Sequence, residues 1–403
     1  VDNVNARLLG IISQYAQANS GTAPTVADFA RAGISGVDSV NVFAINSALA
    51  SASVSATSVD TVAKAQAVVD AFRTILAEAN GLTADATPAQ DPTAQDYQRI
   101  GAVNAAALST EGLALLNDVI GDLPFYAVDS VSEIESLAGT VSKIMALAND
   151  QIVVPALTVQ EMQALGITGV TSGQLQAFSN LLRTSGITAT QADSLSELRS
   201  LLQTAAEQNA LAVITQYAQS NAGVAPTVAD FTFAGITGVN SQNLAAIHSA
   251  LASSPVTGAL ADTRAEVQAI VNAWNLILAE ANGALADATL GVDPLANAYS
   301  TIGASTAAGL STAGLQLLNS AIAGLITEKV DTVAEIEALA LAVTRVMAAA
   351  AGNTEALSLA DLQALGLNTS GLSSNELTTL KANIAATPDS GSGVSLTADL
   401  QAL

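Results

Sequence analysis

The sequence predicts an all-α protein: a linear tandem array of about six small three-helix bundles, arranged as two super-repeats of about 202 residues. Three observations lead to this prediction. The second half of the chain restates the first half, glycines mark a shorter period inside each half, and helix-start motifs precede apolar residues at helical spacing. A strand pattern is not found anywhere in the sequence.

The long repeat is visible as near-identity between two segments. The segment ITQYAQSNAGVAPTVADFTFAGITGV, Ile214 to Val239, restates ISQYAQANSGTAPTVADFARAGISGV, Ile12 to Val37. Four matched pairs are each displaced by 202 residues: Tyr15 and Tyr217, Pro24 and Pro226, Phe29 and Phe231, Gly33 and Gly235. The whole second half therefore repeats the first.

A finer period is marked by a glycine that closes a short helix-like stretch. These glycines are separated by 68, 65, 69, 68 and 63 residues: Gly33, Gly101, Gly166, Gly235, Gly303 and Gly366. The spacing predicts repeats at 1–58, 59–127, 128–191, 192–260, 261–329 and 330–393, and residues 394–403 open the long helix of a further repeat. We call these predicted repeats modules 1 to 6.

The first element of each module is a long helix. It opens with a hydroxyl residue and a Glu three positions later, the capping box in which each side chain satisfies a backbone amide of the other residue. Four pairs fit: Ser130 with Glu133, Ser194 with Glu197, Thr263 with Glu266, and Thr332 with Glu335. Thr61 is followed by Lys64 instead, which weakens that cap. Apolar residues then recur at helical spacing, as from Val62 to Leu76, and Gly81, Gly283 or Gly352 ends the helix.

The second and third elements are shorter helices. The second opens with a hydroxyl cap and ends at the marker glycine, which tolerates a positive φ. The predicted ranges are Thr25 to Ala32, Thr158 to Leu165, Thr227 to Ala234 and Ser358 to Leu365. A turn then leads into the third helix, at Ser39 to Ala50, Ser172 to Leu182 or Ser241 to Ala252.

These motifs resemble a known family. TVADFARAGISGV, FAINSALA (Phe43 to Ala50) and TVAKAQAVVDAF (Thr61 to Phe72) are similar to the three helices of GA-type modules of bacterial surface proteins. Leu157 to Phe178 and Thr387 to Leu403 resemble the GA-like repeats of very large bacterial surface and adhesin-type proteins. The resemblance covers essentially the whole chain. It implies an extracellular, repetitive role that is structural or adhesive, and it implies no catalytic residues. The albumin-binding members carry exposed Tyr and Lys on helices two and three, where this chain is rich in Ala, Ser, Asn and Val.

Composition excludes several classes of function. The formal charge is −23, and Lys and Arg are nowhere concentrated, so we expect no nucleic-acid partner. The chain has no cysteine, which excludes disulfides and thiolate metal sites. The most apolar stretch, Ile336 to Ala351, is too short and too polar to span a bilayer, so we expect no membrane insertion.

Few residues are candidates for catalysis or metal binding. His248 is the only histidine, and Asn46 stands at its place in the other half, so we expect a plain helix-surface role for it. Clustered carboxylates would suit calcium, but no calcium-loop motif is present. Most acidic residues fall at helix starts, where capping explains them: Asp60, Asp129, Asp193, Asp262 and Asp331.

Other candidates have structural explanations as well. Gly166 to Gly173 looks like a phosphate loop but lacks the Lys-Ser/Thr pair and a preceding strand, so we interpret it as a turn. The aromatic residues suit core anchoring better than ligand stacking: Trp274, Phe72, Tyr15, Tyr217, Tyr97 and Tyr299. Asn368-Thr369-Ser370 is a lone glycosylation sequon, a motif of weak specificity. We predict no catalytic, cofactor-binding or metal-binding residue and no cofactor.

The two ends of the sequence match the two parts of one internal helix. SLTADLQAL from Ser395 resembles SLSELRSLL from Ser194, and Val1 corresponds to Gln203. We expect the tail to supply the start of a helix whose remainder is the head of the next copy. Two interpretations remain open: a longer polypeptide that continues on both sides, or separate subunits that join head to tail.

The sequence therefore predicts a structural region of an extracellular bacterial surface protein and not an enzyme. Its head-to-tail bundles would form a filament, a surface layer or an adhesin stalk, with copies of itself or adjacent repeats as partners. The alternative is a host-protein binding module of the albumin-binding type, in which host or surface ligands are the partners.

Overall fold

A computed structural model describes residues 2–81, 91–153, 155–283 and 293–403 of the protein. Within these ranges the protein is all-α, and the predicted class is confirmed. In the described ranges, β-type pairing is limited to two isolated antiparallel bridges, Asn80 with Pro124 and Asn282 with Ile326.

The α-helices follow one another in the same order in both halves. The first half contains α1 (Asp2–Ala18), α2 (Val26–Arg31), α3 (Val42–Leu49), α4 (Val62–Glu78), α5 (Ala94–Ile100), α6 (Val103–Ala106), α7 (Thr110–Asp122), α8 (Val131–Ala148), α9 (Val159–Ala164), α10 (Ser172–Thr184) and α11 (Leu195–Ser220). The second half contains α12 (Val228–Phe233), α13 (Leu244–Leu251), α14 (Arg264–Glu280), α15 (Ala296–Thr301), α16 (Ser305–Ala308), α17 (Thr312–Ala323), α18 (Val333–Ala350), α19 (Leu359–Ala364), α20 (Ser374–Ala385) and α21 (Thr397–Ala402).

Short 3₁₀ helices precede the long helices. They are η1 (Ala56–Ser58), η2 (Phe125–Ala127), η3 (Ala189–Gln191), η4 (Gly258–Leu260) and η5 (Thr327–Lys329). Modules 2 and 5 also contain a four-residue helix, α6 or α16, that was not predicted. The prediction of three helices is therefore wrong for modules 2 and 5, which each contain four α-helices.

The predicted helix starts are confirmed, although at Ser194 the return bond to Glu197 Oε2 comes from the Asp193 amide. The Ser130 hydroxyl accepts from the Glu133 amide at 3.3 Å, and Glu133 Oε2 accepts from the Ser130 amide at 3.0 Å. The same reciprocal pair closes the starts of α14 and α18. At Thr61 only the forward bond forms, from the Lys64 amide to the Thr61 hydroxyl at 3.2 Å, because a lysine offers no acceptor for the return bond.

The marker glycines all adopt the left-handed conformation, with φ between 71° and 85°. Gly101 has a second constraint. A Cβ at Gly101 would collide with the Ser51 hydroxyl of the preceding module, and Gly303 faces Ser253 in the same way. These two glycines therefore end a helix and also permit close approach between modules.

The chain divides into two compact units, Val1–Ala206 and Glu207–Leu403, with the boundary inside α11. Each unit buries one connected apolar cluster, which runs from Ile12 to Ala205 in unit 1 and from Ala210 to Leu400 in unit 2. In unit 1, α8 packs on α9 and α10 of its own module and also on α3, α6 and α7 of the earlier modules. Three modules therefore share one core in each unit.

Candidate functional site

The acidic residues ahead of the long helices pair with the capping glutamates. Glu197 Oε2 accepts from the Asp193 amide at 3.1 Å. Burial raises the pKa of Asp193, and the hydrogen bond and negative charge of Glu197 raise it further. Asp129 and Asp331 have pKa values raised by burial and by their glutamates. Asp60 instead forms an ion pair with Lys64 at 2.8 Å. Across residues 2–81, 91–153, 155–283 and 293–403, no group of three or more potential metal ligands occurs.

His248 bridges two elements rather than lying free on a helix surface. Its Nε2 is 2.6 Å from the carbonyl oxygen of Pro226, and its ring lies 5.7 Å from that of Tyr217. In unit 1, the Asn46 Nδ2 donates to the Pro24 carbonyl at 2.9 Å. Because an amide performs the same task at the equivalent position, the His248 contact is a structural tie between α13 and the segment before α12.

Tyr97 and Tyr299 are fully buried, as expected for core anchors. The Tyr97 hydroxyl donates to Asn117 Oδ1 at 2.7 Å, and Asn117 Nδ2 donates to the Pro92 carbonyl at 2.9 Å. Tyr299, Asn319 and Pro294 repeat this chain of bonds. Burial, together with the nearby carboxylate of Glu78, raises the pKa of Tyr97 well above its usual value.

The remaining aromatic candidates are also structural. Trp274 and Phe72 occupy equivalent positions on α14 and α4, and both are fully buried. Tyr15 and Tyr217 are half-buried and pack against the cores of their units. The expected role of these residues as core anchors agrees with this burial.

The two remaining motifs lie in turns. Gly166 and Gly169 have φ values of 77°, and the segment that follows is capped by Thr171 at the start of α10. The side chain of Asn368, in the sequon, accepts from the Ser370 amide at 3.1 Å, and the Asn368 amide donates to Gln401 Oε1 at 2.8 Å. Asn368 is exposed.

The feature that sequence reasoning missed is a set of caps contributed across modules. The Val131 amide, at the start of α8, donates to the Ser47 hydroxyl of α3 at 2.9 Å. In unit 2 the Val333 amide donates to the Ser249 hydroxyl at 2.8 Å. Each serine lies two modules before the helix that it caps. The only available signal was the presence of both serines at the same place in the two halves.

A second pair of cross-module caps closes α11 and α21. The Leu195 amide donates to the Asp118 carboxylate, and the Thr397 amide donates to the Ser320 hydroxyl at 3.1 Å. Arg199 also forms an ion pair with Asp122 at 2.8 Å. Leu195 and Thr397 therefore occupy equivalent positions, displaced by 202 residues. The expected pairing of Ser395 with Ser194 has a displacement of 201 and is wrong by one residue.

A groove lies at the end of module 6, bounded by α19, α20 and α21. Its volume is about 270 Å³, and half of the residues that line it are leucines: Leu362, Leu367, Leu372, Leu380, Leu400 and Leu403. We call it the α20 groove. Thr379, Asn383 and Gln401 are among the polar residues that line it.

Comparisons with known proteins do not identify a family for this chain. No family model, no curated protein and no solved structure matches the chain. Among the described helices, none is both long enough and apolar enough to cross a membrane.

Proposed function

We propose that the chain is a structural repeat region of an extracellular bacterial surface protein, in which helical bundles stack head to tail. The observation that carries the proposal is the cap from Ser47 to Val131 and its repetition from Ser249 to Val333. An array in which one module closes a helix of another transmits load through its interfaces, and its stability accumulates from neighbour contacts. The same bonds have no evident use in catalysis.

The roles of the buried polar side chains and the negative charge of the chain support this proposal. Several buried polar side chains tie helices together, as Tyr97 and Asn117 do. The chain carries a formal charge of −23, which opposes nonspecific association between copies. We infer that the modules are GA-like three-helix bundles, with one added short helix in modules 2 and 5. We also infer that the array forms a filament, a surface layer or an adhesin stalk, and that no enzymatic site is present.

Labelling of cells tests the location. Antibodies against the chain are applied to intact and to permeabilised cells of the source bacterium, with a cytoplasmic protein as the control for leakage. We expect equal labelling of the two preparations. Labelling that requires permeabilisation would contradict an extracellular role.

A host-protein binding module is the second candidate, and one observation favours it. On the third helix of module 1, Phe43 is 63% exposed, and Val40, just before that helix, is 61% exposed. Their counterparts in unit 2 are Ala245 and Gln242, so this apolar surface belongs to one unit only. Exposed aromatic residues often anchor protein partners.

Capture from serum separates the two candidates. The immobilised chain and its Phe43→Ala variant, which copies the residue of unit 2, are incubated with whole serum. Retention of albumin or immunoglobulin by the native chain and not by the variant would support the binding module. Equal, negligible retention by both would leave the structural role as the better proposal.

A further inference from the structure

The turn that follows the marker glycine is longer in module 6 than in the related modules. In modules 1, 3 and 4 a second left-handed glycine stands three residues after the marker glycine, as Gly169 follows Gly166. In module 6 the corresponding glycine, Gly371, stands five residues after Gly366, and φ is 83° and 80° at these two positions. The longer turn contains Asn368-Thr369-Ser370, which is the only Asn-X-Ser/Thr sequence in the chain.

The backbone of Asn368 is held as it is at the equivalent position of module 1. The Asn368 amide donates to Gln401 Oε1 at 2.8 Å, and the Ser35 amide donates to Gln66 Oε1 at the same distance. The residue at this position is exposed in all four modules that contain the turn: Ser35, Thr168, Thr237 and Asn368. The turn therefore fixes the backbone and leaves the residue accessible to solvent.

Within the sequon, the middle residue is tied to the fold and the two outer residues are exposed. The Thr369 hydroxyl accepts from Gln363 Nε2 at 3.0 Å, and Thr369 is half-buried. Asn368 Oδ1 accepts from the Ser370 amide at 3.1 Å, an Asx turn that orients the side-chain amide. Among the described residues, Asn368 Nδ2 donates no hydrogen bond. This nitrogen is therefore accessible to an enzyme that modifies the surface.

We propose that Asn368 is an N-glycosylation site. Asn-X-Ser/Thr is the acceptor sequence for this modification, which needs a surface position because the sugar is bulky. A bond forms between Asn368 Nδ2 and the anomeric carbon of the sugar, and the bond from that carbon to a phosphate oxygen breaks. The phosphate keeps the electron pair, and a base of the transferase takes a proton from Nδ2. The donor is a sugar phosphate ester, carried by a nucleoside or by a membrane lipid.

Mass spectrometry of the full chain purified from its source cells tests the proposal. The tryptic peptide of residues 346–381 contains Asn368 and two exposed asparagines that lie outside any sequon, Asn353 and Asn375. We expect one or more sugar residues on Asn368 and none on Asn353 or Asn375. An unmodified peptide, or a sugar attached to a hydroxyl instead of Asn368, would overturn the proposal.

Two variants made in the same cells separate recognition of the sequon from simple exposure. Ser370→Ala keeps the backbone amide that binds Asn368 Oδ1 but removes the hydroxyl of the sequon, so we expect complete loss of the sugar. Thr369→Ala is the matched control, because it changes the middle residue and leaves the sequon intact, and it should keep the sugar. Retention of the sugar in Ser370→Ala would overturn the proposal.

Two cell fractions distinguish the donors. Unmodified chain from cell-free synthesis is incubated with radiolabelled UDP-glucose and the soluble fraction of the source cells, or with their washed membranes. Labelling in the first mixture assigns a nucleotide sugar, and a sugar added only by the membranes assigns a lipid-linked donor. Both results support the proposal.

The modification is independent of the head-to-tail association in the proposed function. A chain without sugar at Asn368 would overturn the modification and leave the cell-labelling experiment unaffected. Labelling that requires permeabilisation would contradict the extracellular role, whereas the sugar on Asn368 would still be detected.

Discussion

The side-chain hydroxyl of Ser47 accepts a hydrogen bond from the backbone amide of Val131, a residue 84 positions further along the chain. The first amides of a helix have no partner within the helix itself. The capping box of α8 satisfies the amide of Glu133, and Ser47 satisfies that of Val131. A local capping box and a serine of a distant module therefore each satisfy one backbone amide at the start of α8.

The buried tyrosine network sets a first prediction. Tyr299→Phe should lower the free energy of unfolding by about 1–3 kcal/mol, because it leaves the buried Asn319 without its hydroxyl donor. Urea denaturation followed by circular dichroism measures the loss. Tyr126→Phe is the matched control, since Tyr126 is 66% exposed, and it should change stability little.

The same tyrosines should respond to alkaline pH in a defined direction. Burial raises the pKa of Tyr97 and of Tyr299, so the folded state disfavours ionisation of both phenols. Their contribution to stability is present below the unfolded pKa of about 10 and is lost as pH rises above it. In an ultraviolet titration, two of the five tyrosines should ionise only when the protein unfolds. Titration of all five as one set in the folded protein would contradict this.

A third prediction concerns the end of α1. Asn19 has a φ of 49°, and its Nδ2 donates to the carbonyl oxygens of Ala16, Leu49 and Ser51. Asn19→Gly keeps the left-handed backbone but loses the ties to α3, so we expect a loss of about 1 kcal/mol. Asn19→Ala should lose about 1 kcal/mol more, because alanine disfavours that conformation. Chemical denaturation of both variants checks the order, and an equal loss would contradict the role of φ.

A fourth prediction uses the two halves as controls for each other. His248→Asn places in unit 2 the residue that ties α3 to the Pro24 carbonyl in unit 1, so the change in stability should be below about 0.5 kcal/mol. His248→Ala removes the tie and should cost about 1 kcal/mol. Thermal unfolding of the two variants measures the difference. Equal losses would show that the bond to Pro226 is not what His248 contributes.

A fifth prediction concerns acid. Burial raises the pKa of Asp361, but hydrogen bonds from Ser358 and the ion pair with Arg345 outweigh it and lower the pKa overall. The contribution of this carboxylate is present above the unfolded pKa of about 3.9 and is lost as pH falls through the lower folded value. Asp361→Asn should therefore cost about 1–2 kcal/mol at neutral pH, and the deficit should shrink below pH 4.

Urea denaturation at a series of pH values tests this, with Asp389→Asn at an exposed position as the control. A deficit for Asp361→Asn that is constant from neutral pH to the acid limit would contradict the assignment.

Local features were predictable from the sequence because their partners are three or four residues apart. The capping pair of Ser130 and Glu133 and the end of α2 at Gly33 are of this kind. The cap from Ser47 was not predictable, because a serine in AINSALA looks like any solvent-facing serine and its partner amide is 84 residues away. The bond from Tyr97 to Asn117 joins two helices across the core. For both bonds, the informative signal was their recurrence at a displacement of 202 residues.

We expect modules 4, 5 and 6 to be stabilised as one unit through caps such as that from Ser249 to Val333. Trp274, the only tryptophan, lies in module 5, between the modules that this bond joins, and reports unfolding there. Ser249→Ala should lower the stability read from Trp274 fluorescence by about 1 kcal/mol, whereas Ser241→Ala, at an exposed serine before α13, should not. An unchanged Trp274 transition in Ser249→Ala, while the amide of Val333 loses its protection from hydrogen exchange, would show that the modules unfold independently and would contradict the claim.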